Sequence, residues 1–257
     1  MKRPWKCFTT ALRFAVIEQV RNHLALGLVF FFVPLWLLLA FTVFAATPVP
    51  FFLRAAHRTV TVDGNVLSQL TGAFHALALI VGFMMFLAAT RSAGFDHRLV
   101  LAGYPRLSLA LAKYAALLLS GAAAALYATA WITLFWQPER LGLLAVALWL
   151  AALTYGGAGV LLAAVMRSEL AGMFLLIMVS FIDVGLQNPI GNPQADSPAL
   201  RFLPTYGAMQ CAVSAASLNT LPWSCRLRGL AWAAGTVTLG LIAFMVRTGM
   251  MRGRRPA

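Results

Sequence analysis

The sequence predicts an all-α polytopic membrane protein, a single transmembrane domain over residues 1–257 with six spanning helices. Three observations predict it. Of the 257 residues, 61% are hydrophobic and only 11% charged, with a mean hydropathy of +0.82, which is too little polar surface to coat a soluble globule of this length. The apolar residues gather into runs near the roughly 20 residues a helix needs to cross a bilayer. The net charge of +13 collects at the ends of those runs. That placement suits membrane topology and anionic headgroups; nucleic acid is excluded as a partner because no basic face stands free of the spans.

Residues 1–22 are polar enough to stay out of the bilayer core yet keep a helical period. Trp5, Phe8, Leu12, Ala15 and Val16 fall near one face, and Lys6, Arg13 and Arg21 near another. This describes an interfacial helix on the headgroups; the alternative is a plain positive flank that only orients the first span. The apolar run Leu24 to Ala46 is longer than the h-region of a signal peptide, so it reads as a retained span.

Five more spans are expected at Leu70 to Ala89, Leu107 to Trp131, Leu141 to Met166, Leu170 to Leu186 and Gly229 to Val246, the fifth being short and interrupted by Asp183. An even number puts both termini on one side. That side holds Lys2, Arg3, Lys6, Arg13, Arg21, Arg91, Arg98, Arg106, Lys113, Arg167, Arg247, Arg252, Arg254 and Arg255. The other holds Arg54, Arg58, Arg140, Arg201, Arg226 and Arg228. The bias places both termini in the cytoplasm, although Arg226 and Arg228 run against it.

The basic break from Arg91 to Lys113 is opposed only by Asp96. Within it Phe95, Arg98, Leu99 and Ala102 share a helical face, Gly94 and Gly103 punctuate the ends, and Pro105 opens the next helix. The expectation is a short helix between turns, parallel to the membrane and suited to a groove on another protein. The alternative is a solvated loop whose charges orient the spans. The external segment 187–228 opens with the turn formers NPIGNPQADSP and continues half apolar from Leu200 to Trp223. It is expected to be partly re-entrant, or a compact external helix packed on the spans.

No catalytic set stands out. There is no GxxxxGK[ST], HExxH or GxSxG pattern, and GGAGV at Gly156 to Val160 lies in an apolar run where small residues let helices approach. Cys7, Cys211 and Cys225 make no metal pattern, and His23, His57, His75 and His97 are scattered. Cys211 and Cys225 share the external side and are a candidate disulfide. His75 and Asp183 are ionisable residues inside expected spans, so they are candidates for a translocation pathway or for helix-to-helix hydrogen bonds.

This layout resembles the permease subunit of type-2 ABC exporters, and the resemblance covers nearly the whole chain. In the break, Arg91, Gly94, Leu99, Pro105 and Arg106 match the family's order of Arg, Gly, apolar helix, Pro and a basic residue; Ser92 replaces the acidic residue that often follows the first Arg, and the gap from Gly94 to Pro105 is longer. The resemblance implies a multi-pass protein of the bacterial cytoplasmic (inner) membrane. It implies a second permease subunit, identical or not, and separate ABC ATP-binding subunits that carry ATP and Mg, with no cofactor on this chain. The break is then the coupling segment, 91–106, between spans two and three. Arg98 and Asp96 would be its polar contacts, and Phe95 and Leu99 its apolar plug. Its cargo would be an amphipathic or hydrophobic compound: a drug, antibiotic or lipid-like molecule. The competing readings are a lipid-modifying membrane enzyme using His75, Asp183 and Asp63, and a secondary transporter, for which no internal repeat is visible.

Overall fold

A computed structural model describes residues 2–166, 168–218 and 223–250. Arg167, Arg252, Arg254 and Arg255, counted above, lie outside them. The chain begins with α1 (Lys2–Val20), then α2 (His23–Gly27), a π-helical turn (Leu28–Phe32) and α3 (Val33–Val43). A hairpin of β1 (Pro48–Leu53) and β2 (Arg58–Asp63) follows. The body comprises α4 (Gly64–Leu101), α5 (Arg106–Ile132), α6 (Leu141–Val165), α7 (Glu169–Gly185), α8 (Tyr206–Ser217) and α9 (Trp223–Met250).

Among the described residues, five helical stretches are long and apolar enough to cross a membrane: Ala25–Val43, α4, α5, α6 and Trp223–Thr248. They point to a membrane-embedded protein. The expected fifth span is α7, whose 17 residues rise about 25 Å, short of the roughly 30 Å hydrocarbon core.

Helix α6 is the centre of the bundle, and its glycines explain how. A Cβ at Gly159 would stand 2.4 Å from the Gly82 carbonyl of α4, one at Gly156 2.3 Å from the Leu117 side chain of α5, and one at Gly157 2.7 Å from Thr236 Oγ1 of α9. Three neighbouring small residues therefore admit three different helices, the close packing that small residues permit where lipid supplies no hydrophobic drive. The first span lies at the periphery, with Phe31, Leu35 and Leu38 exposed. Its π turn leaves the Phe30 carbonyl to accept from the Tyr127 hydroxyl at 3.1 Å, so the irregular backbone is satisfied from α5.

The hairpin was not foreseen. Its signal is the strict alternation of Arg58–Asp63, RTVTVD. The strands pair antiparallel from Pro48 opposite Asp63 to Leu53 opposite Arg58, and His57 takes a left-handed conformation, φ 49°, at the turn. The Arg54 N–H donates to Gln210 Oε1 at 3.1 Å, and Gln210 Nε2 donates to the Phe52 carbonyl at 3.1 Å. These bonds tie the hairpin to α8.

One expectation about architecture changes. The helix expected to begin at Gly94 is not separate: α4 runs unbroken for 38 residues to Leu101, about 57 Å, so the basic stretch shares the axis of the second span. Glycine inside a helix costs only about 1 kcal/mol relative to alanine, too little to stop a helix packed on its neighbours. The chain turns at Gly103, φ 88°, before Pro105 caps α5. Because a Cβ at Gly94 meets nothing within 4 Å, Gly94→Ala is expected to raise stability by about 0.5–1 kcal/mol, read as a higher apparent Tm; a Tm loss would mean that the helix ends there.

The expected partly re-entrant segment 187–228 is, over its described residues, a set of turns, a 3-10 turn (Pro198–Phe202), α8 and the start of α9. Residues Tyr206 to Ala215 of α8 are all buried, packed against α6 and α9. A Cβ at Gly207 would meet Gly229 N at 2.5 Å, so the two backbones touch. The apolar residues of α8 are therefore core, whereas Phe202 and Trp223 on either side of it are exposed.

Candidate functional site

The candidate site is the end of the bundle opposite the hairpin, where α1, the long tail of α4 and the start of α5 meet. Tyr104, in the turn between α4 and α5, donates its hydroxyl to the Cys7 carbonyl. Ser108 Oγ donates to the Pro4 carbonyl at 3.3 Å, and Gln19 Nε2 approaches Met85 Sδ at 3.4 Å. Helix α1 is thus fastened at both ends to the body. Of its expected apolar face, Phe8, Leu12, Ala15 and Val16 are half-buried on the protein side, while Trp5 is 67% exposed and rests on Phe8, ring centroids 5.5 Å apart. Lys6, Arg13 and Arg21 are exposed.

The tail of α4 divides by face. Arg91, Gly94, Phe95, Arg98 and Leu101 are exposed, Phe95 at 64%, and their spacing of three and four residues places them on one stripe. Leu99 is half-buried in the wall of a cavity beneath α1, and Pro105 and Arg106 are half-buried at the turn. Asp96 faces the other way and is 5% exposed. It forms an ion pair with Lys113 of α5, and Ser92 joins both, receiving from Lys113 and donating to Asp96 Oδ2 at 3.2 Å. The Lys113 ammonium also lies 5.7 Å from the Phe244 ring centroid of α9. The expectation that Asp96 contacts a partner's surface is therefore corrected. A lone carboxylate in an apolar bundle is costly, and the nearest available cation is Lys113.

This pair is the shared wall of two cavities. One, of about 300 Å³, lies between α1 and the α4–α5 corner and is lined by Phe14, Glu18, Met85, Leu99 and Lys113. The other, of about 180 Å³, lies toward α6 and α9 and is lined by His97, Ala163, Phe244 and Arg247. Arg247 donates to the Ala163 carbonyl at 2.8 Å, closing that side. Partial desolvation raises the Glu18 carboxyl above its ordinary pKa; Lys113 and Arg91 pull it down, while Asp96 pushes it up.

His75 and Asp183 are not brought together. Asp183 is 1% exposed and its carboxylate accepts from Tyr155 Oη at 2.9 Å, Gln187 Nε2 at 2.9 Å and the Thr205 N–H at 3.1 Å. Gln187 also donates to Thr205 Oγ1 at 3.0 Å. This buried network joins α6, α7 and the approach to α8. His75 instead lies against Phe181, ring centroids 4.8 Å apart. Tyr155, Gln187 and Thr205 were not foreseen as partners. Their only signal in the sequence is that polar residues inside an apolar bundle need each other.

Cys211 of α8 and Cys225 of α9 form a disulfide, Cα–Cα 5.7 Å, and Cys7 is a free, half-buried thiol. No group of His, Cys, Asp and Glu among the described residues is arranged to hold a metal ion. No protein-family model matches the chain, and no curated protein matches it.

Proposed function

We propose that this chain is the permease subunit of an ATP-driven exporter of the type-2 ABC class, paired with a second permease subunit and driven by separate ATP-binding subunits that hold ATP and Mg. The single observation that carries the reading is the tail of α4. A continuous helix joins the second span to an exposed stripe of Arg91, Phe95, Arg98 and Leu101, and the opposite face of that helix is clamped to α5 by Asp96 and Lys113. Force applied to the stripe is delivered along a rigid rod into the bundle. An apolar anchor flanked by arginines suits a groove with acidic edges on a soluble partner.

In this reading Phe95 is the apolar plug and Arg98 its polar companion. Leu99 supports α1 from within and Asp96 holds α4 in place. The excess of Lys and Arg at this end supports a cytoplasmic position for it and for both termini, at the inner face of a bacterial inner membrane. The exposed groups on α1, Trp5, Lys6, Arg13 and Arg21, would meet lipid headgroups beside it.

The test is a pull-down of the tagged full chain with the phosphate-loop ATPase encoded beside its gene. Co-purification is expected, and Arg98→Glu is expected to reduce recovery of the ATPase at least about tenfold while membrane insertion is unchanged. Equal recovery with Arg98→Glu would remove the stripe as the docking face. A stable, active chain with no ATPase partner would remove the exporter reading altogether.

A further inference from the structure

The cavity of about 300 Å³ beneath α1 has a chemistry that the docking stripe does not use. Its space follows from the local sequence. Ala11 and Ala15 of α1 and Ala88 and Ala89 of α4 line it, and single methyl groups at these positions leave unfilled the volume that larger side chains would take in a close-packed interior. Helix α1 does not settle into the gap because it is fastened at both ends, through the Pro4 and Cys7 carbonyls at one and Gln19 at the other.

Charge sets this cavity apart from the rest of the molecule. Among the described residues, the charged groups that line it are Glu18, Asp96 and Lys113, so its wall is net negative in a chain whose net charge is +13. Asp96 and Lys113 neutralise each other in the one ion pair among the described residues. Glu18 is therefore the unmatched charge. Lys113 and Arg91 act on its carboxylate from a distance without pairing with it. Glu18 is an exposed residue, so a ligand can reach it. Aromatic side chains stand beside it: Phe14, 65% exposed, and Tyr104, whose hydroxyl is held by the Cys7 carbonyl. Aromatic rings attract cations through the negative faces of their π-systems, and the carboxylate adds a full opposite charge.

We propose that the cavity beneath α1 binds a lipophilic organic cation, one ammonium or phosphonium centre on an aromatic body, with its charge paired to Glu18 and its rings against Phe14, Tyr104 and Leu99. The volume lies at the lower end of the roughly 300–1,000 Å³ of small-molecule pockets, which suits a single compact body and is too small for a peptide or a nucleotide. An anion would meet Glu18 with like charge. A zwitterionic lipid headgroup would bring a phosphate as well, and Lys113, already paired with Asp96, has no charge to spare for it. Only the assignment of this ligand as cargo rests on the exporter reading; the binding itself does not.

The experiment uses the full chain in an uncharged maltoside detergent and tritiated methyltriphenylphosphonium, with binding read by equilibrium dialysis. Saturable binding is expected, displaced by benzyltributylammonium and not by triphenylphosphine oxide, an uncharged molecule of nearly the same shape. Glu18→Gln and Phe14→Ala are each expected to weaken binding about five- to tenfold. Glu169→Gln makes the same charge change at an exposed residue that does not line the cavity, and it is expected to leave binding unchanged. Size-exclusion behaviour of each variant establishes that it is folded. Absence of saturable binding, equal displacement by triphenylphosphine oxide, or full affinity in Glu18→Gln would overturn the proposal. Displacement by phosphatidylethanolamine at equal concentration would overturn it as well, because the occupant would then be a lipid headgroup. Loss of ATPase association leaves these readouts untouched, so the two proposals fail separately.

Discussion

Lys113→Met is expected to lower the apparent unfolding free energy of the full chain by about 3–5 kcal/mol, the usual consequence of leaving one member of a buried ion pair without its partner. The side chains of Lys113 and Asp96 are 16% and 7% exposed, so water replaces little of the lost interaction. Met keeps the volume of the lysine stem and its packing beside Phe244. What changes is the charge opposite Asp96, and Ser92 alone cannot satisfy that carboxylate. In detergent the apparent Tm should drop on the order of 10 °C. The double variant Asp96→Asn/Lys113→Met should recover most of the loss, because replacing both charges removes the desolvation cost along with the attraction. Equal melting of single variant and wild type would show that the pair does not hold α4 on α5.

Gly159→Val is the second change with a large expected effect. The new Cβ would begin 2.4 Å from the Gly82 carbonyl and 3.1 Å from the Phe86 N–H. Both are backbone groups of α4, so no flexible side chain can swing aside. Overpacking typically costs about 1–3 kcal/mol, and a rigid helix-to-helix contact belongs at or above the top of that range. Gly235→Ala is the paired control, since a Cβ there meets nothing within 4 Å; it is expected to be neutral or mildly stabilising. Thermal unfolding of the two variants side by side measures the difference. If Gly159→Val melts with Gly235→Ala, α4 and α6 do not pack backbone to backbone.

Much of the candidate site could be read along the chain, but only one residue at a time. The composition of 91–113 marked the stripe, and Phe95 and Arg98 are exposed as a docking face requires. Asp96 is one position from Phe95 and faces inward, because successive residues on a helix point about 100° apart. Its partner Lys113 is 17 residues away on the next helix, beyond any periodic signal. The same holds for Asp183, whose bond from Tyr155 spans 28 residues. The hairpin is hard to read for a different reason: β1 and β2 are six residues each, too short to stand out beside apolar runs of span length.

Local sequence is enough for the helical, membrane-embedded character of the protein and for where its long helices lie. Leu107 to Trp131 became Arg106–Ile132, and Leu141 to Met166 became Leu141–Val165, because the length of an apolar run and the turn formers that end it are local properties. Tertiary structure decided which face of each helix is used. In an apolar bundle the lipid side and the protein side carry the same kinds of residues, so periodicity cannot tell Leu35, exposed, from Leu37, fully buried. It also decided that α4 passes through Gly94 without a break, that Asp96 meets Lys113, and that Asp183 meets Tyr155. Each of these is a meeting between chain segments or a balance of packing against propensity, set by helix packing and not by local propensity.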